Sequence, residues 1–218
     1  MTSPATLPFN ELAAEYDRWF EASPIFALEL AALRACGTRM PRPRLEVGVG
    51  PGRFALEMGI EFGIDPALAP LHLARQRGIM TACGTGEQLP VRSRAIGSVY
   101  LLFTLCFLEN PSAVLKECAR ILRPGGRLLI GLIPGASAWG KRLLARGRSG
   151  DPFYQHARFR TIAETKELLA SHGFLEEEAW STLRQPPGGQ IHAEPPRPGA
   201  EEDAGFCILI TSQQGAPK

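Results

Sequence analysis

The stretch Leu45-Glu46-Val47-Gly48-Val49-Gly50-Pro51-Gly52-Arg53-Phe54-Ala55 constrains the fold of this chain more than any other. A short apolar run ends in three glycines two residues apart, and a small apolar segment, Phe54 to Met58, follows at once. That order reads as a buried strand, a tight turn and the start of a helix. Glycine suits such a turn because it admits backbone angles that a side chain forbids and lets a ligand come close to the main chain. The helix N-terminus beyond the turn offers N–H groups with no partner inside the helix. The loop reads G-x-G-x-G, whereas a dinucleotide loop reads G-x-G-x-x-G, and Arg53 stands where the third dinucleotide glycine belongs. An acidic residue, Glu46, precedes the first glycine by two positions.

The rest of the chain repeats the strand-then-helix rhythm. Strands are expected at Ile60 to Asp65, Ile79 to Cys83, Ser98 to Phe103 and Arg127 to Ile133. Helices are expected from Ala67 to Arg77 and from Asn110-Pro111, where Asn is a good cap and Pro suits the first helical position. Arg123-Pro124-Gly125-Gly126 reads as the turn that ends the latter. Alternation of this kind predicts a parallel α/β sheet whose ligands sit beyond the C-terminal ends of its strands. Gly48 to Gly52, Asp65, Gly84 to Glu87 and Phe103 to Phe107 all fall at such ends. Asp65, some fifteen residues past the glycine turn, is placed to accept hydrogen bonds from both hydroxyls of a ribose, or to cap the next helix.

Before the motif, Phe9 to Phe20 carries one apolar face of a helix, with Tyr16 and Trp19 on it. It is either a lid over a ligand or a helix packed on the core. A second helical pattern runs from Ile25 to Leu33. Late in the chain, Thr161-Ile162-Ala163-Glu164 is a capping box for a helix reaching His172, with Gly173 as its stop. Leu175 to Leu183 and Phe206 to Thr211 read as strands, Gln185 to Asp203 as a mobile Pro- and Gly-rich connection, and Gln213 to Lys218 as a frayed tail. Lys141, Arg142, Arg146 and Arg148 read as a solvated helix face.

At 218 residues the chain suits one domain with decorations. A net charge of +2 argues against a strongly basic nucleic-acid binder, and no apolar run is long enough to span a membrane. Cys36, Cys83, Cys106, Cys118 and Cys207 form no C-x-x-C pair, so neither a metal site nor a disulfide framework is expected, and a reduced, cytoplasmic setting is.

With these pieces placed, the sequence resembles the class I S-adenosylmethionine-dependent methyltransferases, in the group often called type 11, similar to those of quinone biosynthesis. The matching stretches are Glu46 to Ala55, Gly63 to Pro66, Gly84 to Pro90, Leu101 to Glu109 and Ala119 to Leu132, with Tyr16-Asp17-Arg18-Trp19 like the N-terminal signature. The resemblance implies a Rossmann-like, doubly wound, mostly parallel seven-stranded sheet with helices on both faces. It implies S-adenosylmethionine as cofactor and a small-molecule acceptor, with neither nucleic acid nor membrane as partner. Residues 1–40 become a helical lid, 41–133 the cofactor-binding core, and 134–218 the acceptor-side segment and last strands. Tyr16 would cap the cofactor, and Glu46 and Pro66 belong to the matched motifs. Gly48, Gly50 and Gly52 would lie against its methionyl and ribose parts, and Asp65 would hold the ribose hydroxyls. Gly86 and Glu87 would border the adenine, and Phe103 and Thr104 the methionyl end. Thr85 stands where the family commonly has an aspartate for the adenine amino group, and Cys106 and Phe107 replace frequent histidines.

The acceptor region is expected around Cys106 and the segment Phe153 to Phe159, with Tyr154, His156 and Arg158 as candidates; that segment reads equally as an anchored surface loop. No acid–base dyad stands out, so no catalytic residue is named. Two other functions remain open on the sequence: a nicotinamide-dependent reductase on a similar sheet, and a cofactor-binding module without catalysis.

Overall fold

The computed structural model describes residues 4–37 and 40–213. One sheet contains β1 (Arg44–Val47), β2 (Phe62–Asp65), β3 (Met80–Cys83), β4 (Ile96–Leu102), β5 (Leu122–Leu132), β6 (Phe174–Thr182), β7 (Arg197–Pro198) and β8 (Phe206–Gln213). Their order is β3-β2-β1-β4-β5-β8-β6-β7. Strands β1 to β5 pair in parallel, whereas β8 runs antiparallel to both β5 and β6, and β7 antiparallel to β6. The sheet is therefore mixed and eight-stranded, where a mostly parallel sheet of seven is expected. The extra strand is the two-residue β7, which two prolines nearby and its edge position keep short.

The helices are α1 (Leu7–Glu11), α2 (Ala13–Arg18), α3 (Pro24–Gly37), α4 (Arg53–Met58), α5 (Leu68–Gln76), α6 (Pro111–Ile121), α7 (Ala138–Arg148) and α8 (Ile162–Ala170). The pleat decides where they pack, because successive side chains of a strand point to opposite faces. Val99 and Leu101 of β4 join Val114, Leu115 and Cys118 of α6 and Leu169 of α8 on one face. Tyr100 and Leu102 join Leu33 of α3, Phe54 of α4 and Leu71 of α5 on the other. Each large apolar side chain so buried stabilises the fold by about 1.5–3 kcal/mol before entropy is counted.

Local chemistry sets several boundaries as the sequence predicts. The Asn110 side chain accepts from the Ala113 N–H, and Thr161 and Glu164 form the reciprocal capping box. Residues 123–126 loop out of the ladder, since pairing of β5 with β4 jumps from Leu122 to Arg127. Other readings are corrected. The expected single helix from Phe9 to Phe20 is broken at Leu12, whose backbone (φ −112°, ψ 28°) is not helical. The expected mobile connection from Gln185 to Asp203 is tied along its first half: the Gln185 side chain bonds the His192 N–H and carbonyl, and Glu194 accepts from the Arg184 N–H. The expected frayed tail lies outside the described residues, except Gln213, which ends β8.

Candidate functional site

The sheet changes direction of growth between β1 and β4, which places a crevice beyond their C-terminal ends. Gly48, Gly50 and Gly52, with φ of +79°, +51° and +77°, carry the chain from β1 to α4 along that crevice. A side chain at Gly48 would collide with that of Thr104, whose hydroxyl donates to the Val47 carbonyl at 3.1 Å. A Cβ at Gly52 would meet Ala74 at 2.9 Å, so this glycine serves the packing of α4 on α5. A Cβ at Gly50 would meet only the Tyr16 ring, at 3.7 Å, so this part of the loop faces open space.

Asp65, at the end of β2, connects the loop to the next turn. Its carboxylate accepts from the Gly50 N–H and from the Ala67 N–H, both at 2.8 Å. Burial pushes its pKa up to about 6, against the opposing pull of those two N–H groups. Below the loop, Glu46 is 2% exposed and its Oε2 has no hydrogen-bond partner among the described residues. Burial, helped by the nearby Asp65, holds its carboxyl well above the usual range.

A cleft of about 490 Å³ opens over these groups. Of the expected cofactor residues, Tyr16, Gly48, Gly50, Asp65, Pro66, Thr85, Gly86, Glu87, Phe103 and Thr104 line it. Glu46 and Gly52 do not. Thr6, Pro70 and Asn110 also line it; sequence reasoning read Asn110 only as a cap and missed the other two. Their positions depend on how α1 and α5 meet, which no local pattern carries.

A second cavity, of about 310 Å³, adjoins the first. Its wall includes Trp19, Phe20, Phe26, Trp139, Phe153 and Tyr154, and Cys106 and Arg158 also border it. His156 is exposed and outside this lining. Phe9, Tyr16, Phe103 and Phe107 border both cavities and form the partition between them. Phe103 there holds φ of +56°, a conformation rare for a bulky residue and costly to keep. The segment Phe153 to Phe159 is both anchored and part of the cavity wall: Phe153 packs on Phe9, Tyr16 and Trp19, and the Arg158 N–H donates to the Cys106 carbonyl at 2.8 Å. Burial pushes the Cys106 thiol up to about 12, so it is neither thiolate nor base. Ser23, Arg160 and Thr165 line this cavity and escaped the sequence reading, as did Glu29 on α3. Its signal was a carboxylate set in the apolar run Ile25 to Leu33, a placement that charged residues rarely take.

A Rossmann-like sheet with a glycine-loop cleft and a strand-end aspartate defines a nucleotide-cofactor enzyme of the methyltransferase type. The chain belongs to the S-adenosylmethionine-dependent methyltransferases: a family described as "Methyltransferase domain" matches residues 45–130, and whole-chain relatives extend the match. A crystal structure of a SAM-dependent methyltransferase from Thermotoga maritima, described as a possible histamine N-methyltransferase, is 30% identical with a TM-score of 0.88, covering 96% of this chain and all of that one. An uncharacterized protein of Mycobacterium tuberculosis is 41% identical over 220 residues, 99% of this chain and 77% of its own length. The CcbJ methyltransferase of Streptomyces caelestis shares the fold, at 17% identity and a TM-score of 0.69 over 97% of this chain and 99% of its own. The protein is thus an enzyme that uses S-adenosylmethionine to methylate a small molecule. The residues present fit that cofactor: a glycine cradle that admits close main-chain approach, and a strand-end carboxylate with lone pairs to spare for hydroxyls. No helix among the described residues is long and apolar enough to cross a membrane.

Proposed function

We propose that the glycine-loop cleft holds S-adenosylmethionine, that the aromatic cavity holds the methyl acceptor, and that residues 1–40 act as the lid over both. The observation that carries this reading is the shared partition of Phe9, Tyr16, Phe103 and Phe107. Side chains that line both cavities mark where the two adjoin, so a donor in one and an acceptor in the other meet there, and orientation of two reactants can be worth about 7–11 kcal/mol in the best cases.

When bound, the cofactor supplies a methyl group already made electrophilic by its sulfonium. The chain's own part is positioning and exclusion of water. Asp65 accepts from the ribose hydroxyls while its bond to Gly50 keeps the loop in place. Thr85, Gly86 and Glu87 border the adenine, and Phe103 and Thr104 the methionyl end. The aromatic rings from α1, α2 and residues 153–154 keep water from the acceptor. From the Thermotoga relative we carry over only a class of acceptor, an amine. We place the reaction in a reducing, cytoplasmic setting, which five free cysteines support.

Calorimetry with S-adenosylhomocysteine and with NADH tests the cofactor assignment. S-adenosylhomocysteine should bind the wild type, and Asp65→Ala should weaken it by about tenfold or more, the worth of one bond to a charged group. Binding of NADH instead, or unchanged S-adenosylhomocysteine affinity in a folded Asp65→Ala protein, would overturn it.

A further inference from the structure

Glu29 is 7% exposed and borders the aromatic cavity but not the cofactor cleft. Among the described residues its carboxyl takes no hydrogen bond and no ion pair. Buried carboxyls in folded proteins almost always have a partner, so one without is a group kept for something else. Tyr16 from α2 and Tyr154 from the segment before α8 both lie within reach of its charge, and Trp19, Phe20 and Phe26 line the same cavity. Ring faces attract cations, and a carboxylate among rings attracts them more strongly.

The positive groups of the same cavity are otherwise engaged or wet. Arg146 is paired with Asp151 at 2.6 Å and lies over the Tyr154 ring at 5.1 Å. Arg160 donates to the Leu105 carbonyl at 3.1 Å, and Arg158 is exposed. The buried group left without a counter-charge is therefore the acid. Burial alone pushes Glu29 up to about 8, which fits a site that awaits a cation.

Resting on the two-cavity reading above, we propose that the acceptor is a small amine and that Glu29 selects it. The proton that Glu29 holds near neutral pH leaves to solvent as the ammonium enters; the carboxylate so formed pairs with the ammonium and takes one proton from it, and the N–H bonding pair stays on nitrogen as the lone pair that methylation requires. No other residue of the chain is asked to act as base.

The test uses three probes of one shape on the wild type saturated with S-adenosylhomocysteine: 2-phenylethylamine, 2-phenylethanol and 3-phenylpropionate, each by calorimetry. The amine should bind about tenfold or more tighter than the alcohol and the carboxylate, the worth of a charge-assisted bond. Glu29→Gln should erase that preference while S-adenosylhomocysteine affinity stays within about twofold, since Glu29 does not border the cleft. No amine preference in the wild type, tighter binding of the carboxylate, or a preference that survives Glu29→Gln would each overturn the proposal. Failure of S-adenosylhomocysteine to bind the wild type would instead strike the cofactor assignment itself.

Discussion

Arg53 grips both carboxylate oxygens of Asp17, through Nε and a terminal nitrogen, each at 2.8 Å. The residue that takes the place of the third dinucleotide glycine thus ties α2 to the start of α4. Arg77 adds a third bond to Asp17 at 2.8 Å and donates its other nitrogen to the Pro51 carbonyl of the glycine loop.

Asp17→Ala should remove three charge-assisted bonds from two half-buried guanidinium groups, leaving Arg53 only Glu21 and Arg77 only the Pro51 carbonyl, and cost about 3 kcal/mol, the low end for a broken buried pair. Amide exchange over residues 5–20 should quicken more than in the sheet. Burial by itself would raise the Asp17 pKa, but the bonds from Arg53 and Arg77 outweigh it and hold it below the usual range. A carboxyl depressed on folding adds stability above its unfolded pKa, and that stability is lost as pH falls through the folded value. The melting gap between wild type and Asp17→Asn should therefore be widest near pH 7 and narrow below about pH 4. A gap independent of pH would show that the pair contributes nothing through charge.

Asp65 has the opposite sign. Its pKa is raised to about 6, so the empty fold gains stability as pH drops from that value towards the unfolded one. In the proposed role, the ionised form is the stronger acceptor for the ribose hydroxyls. Affinity for S-adenosylhomocysteine should therefore decline below about pH 6, by up to about tenfold per unit. Asp65→Asn should bind weakly at every pH and lack that step; a step retained in the variant would assign it to another group.

Thiol reactivity should sort the five cysteines. Cys83 is exposed, whereas burial pushes Cys106 and Cys118 up to about 12 and Cys207 to about 11, and Cys36 is buried. Brief treatment of the native protein with iodoacetamide at pH 8 should add one label, at Cys83, by intact mass and peptide mapping. Fast labelling of Cys106 would mean that the aromatic cavity is open to the reagent.

Tyr16 faces the loop at Gly50 and stands in the partition, so its removal should be felt on both sides. Tyr16→Ala should weaken S-adenosylhomocysteine binding by about tenfold, since fully covering an aromatic side chain with ligand is worth about 1.5–3 kcal/mol. Added S-adenosylhomocysteine should slow exchange over residues 5–20 in the wild type. Equal protection with and without it would make this segment a fixed part of the fold rather than a lid.

What the sequence conveyed was the chemistry that acts over a few residues. The glycine loop, the Asp65 turn, the Asn110 cap and the Thr161 box could each be read because donor, acceptor and backbone angle lie within four or so positions of one another. The Arg53–Asp17 pair spans 36 residues and has no local signature. The break at Leu12 reflects α1 settling on α5, where Asn10 accepts from the Ala69 N–H, against a periodicity that would have continued the helix. Glu29 passed unremarked within the helical pattern Ile25 to Leu33, and only the cavity beside it gives that carboxylate a meaning.

The shared partition also bears on how such an enzyme could diversify. A change of ring size at Phe9, Tyr16, Phe103 or Phe107 moves side chains common to both chambers, so on the proposed reading acceptor scope and cofactor hold drift together there. Trp19, Phe26 and Glu29 border the aromatic chamber alone. On the proposed two-cavity reading, substitutions at such positions are a route by which a lineage could exchange one acceptor for another while keeping the same methyl donor.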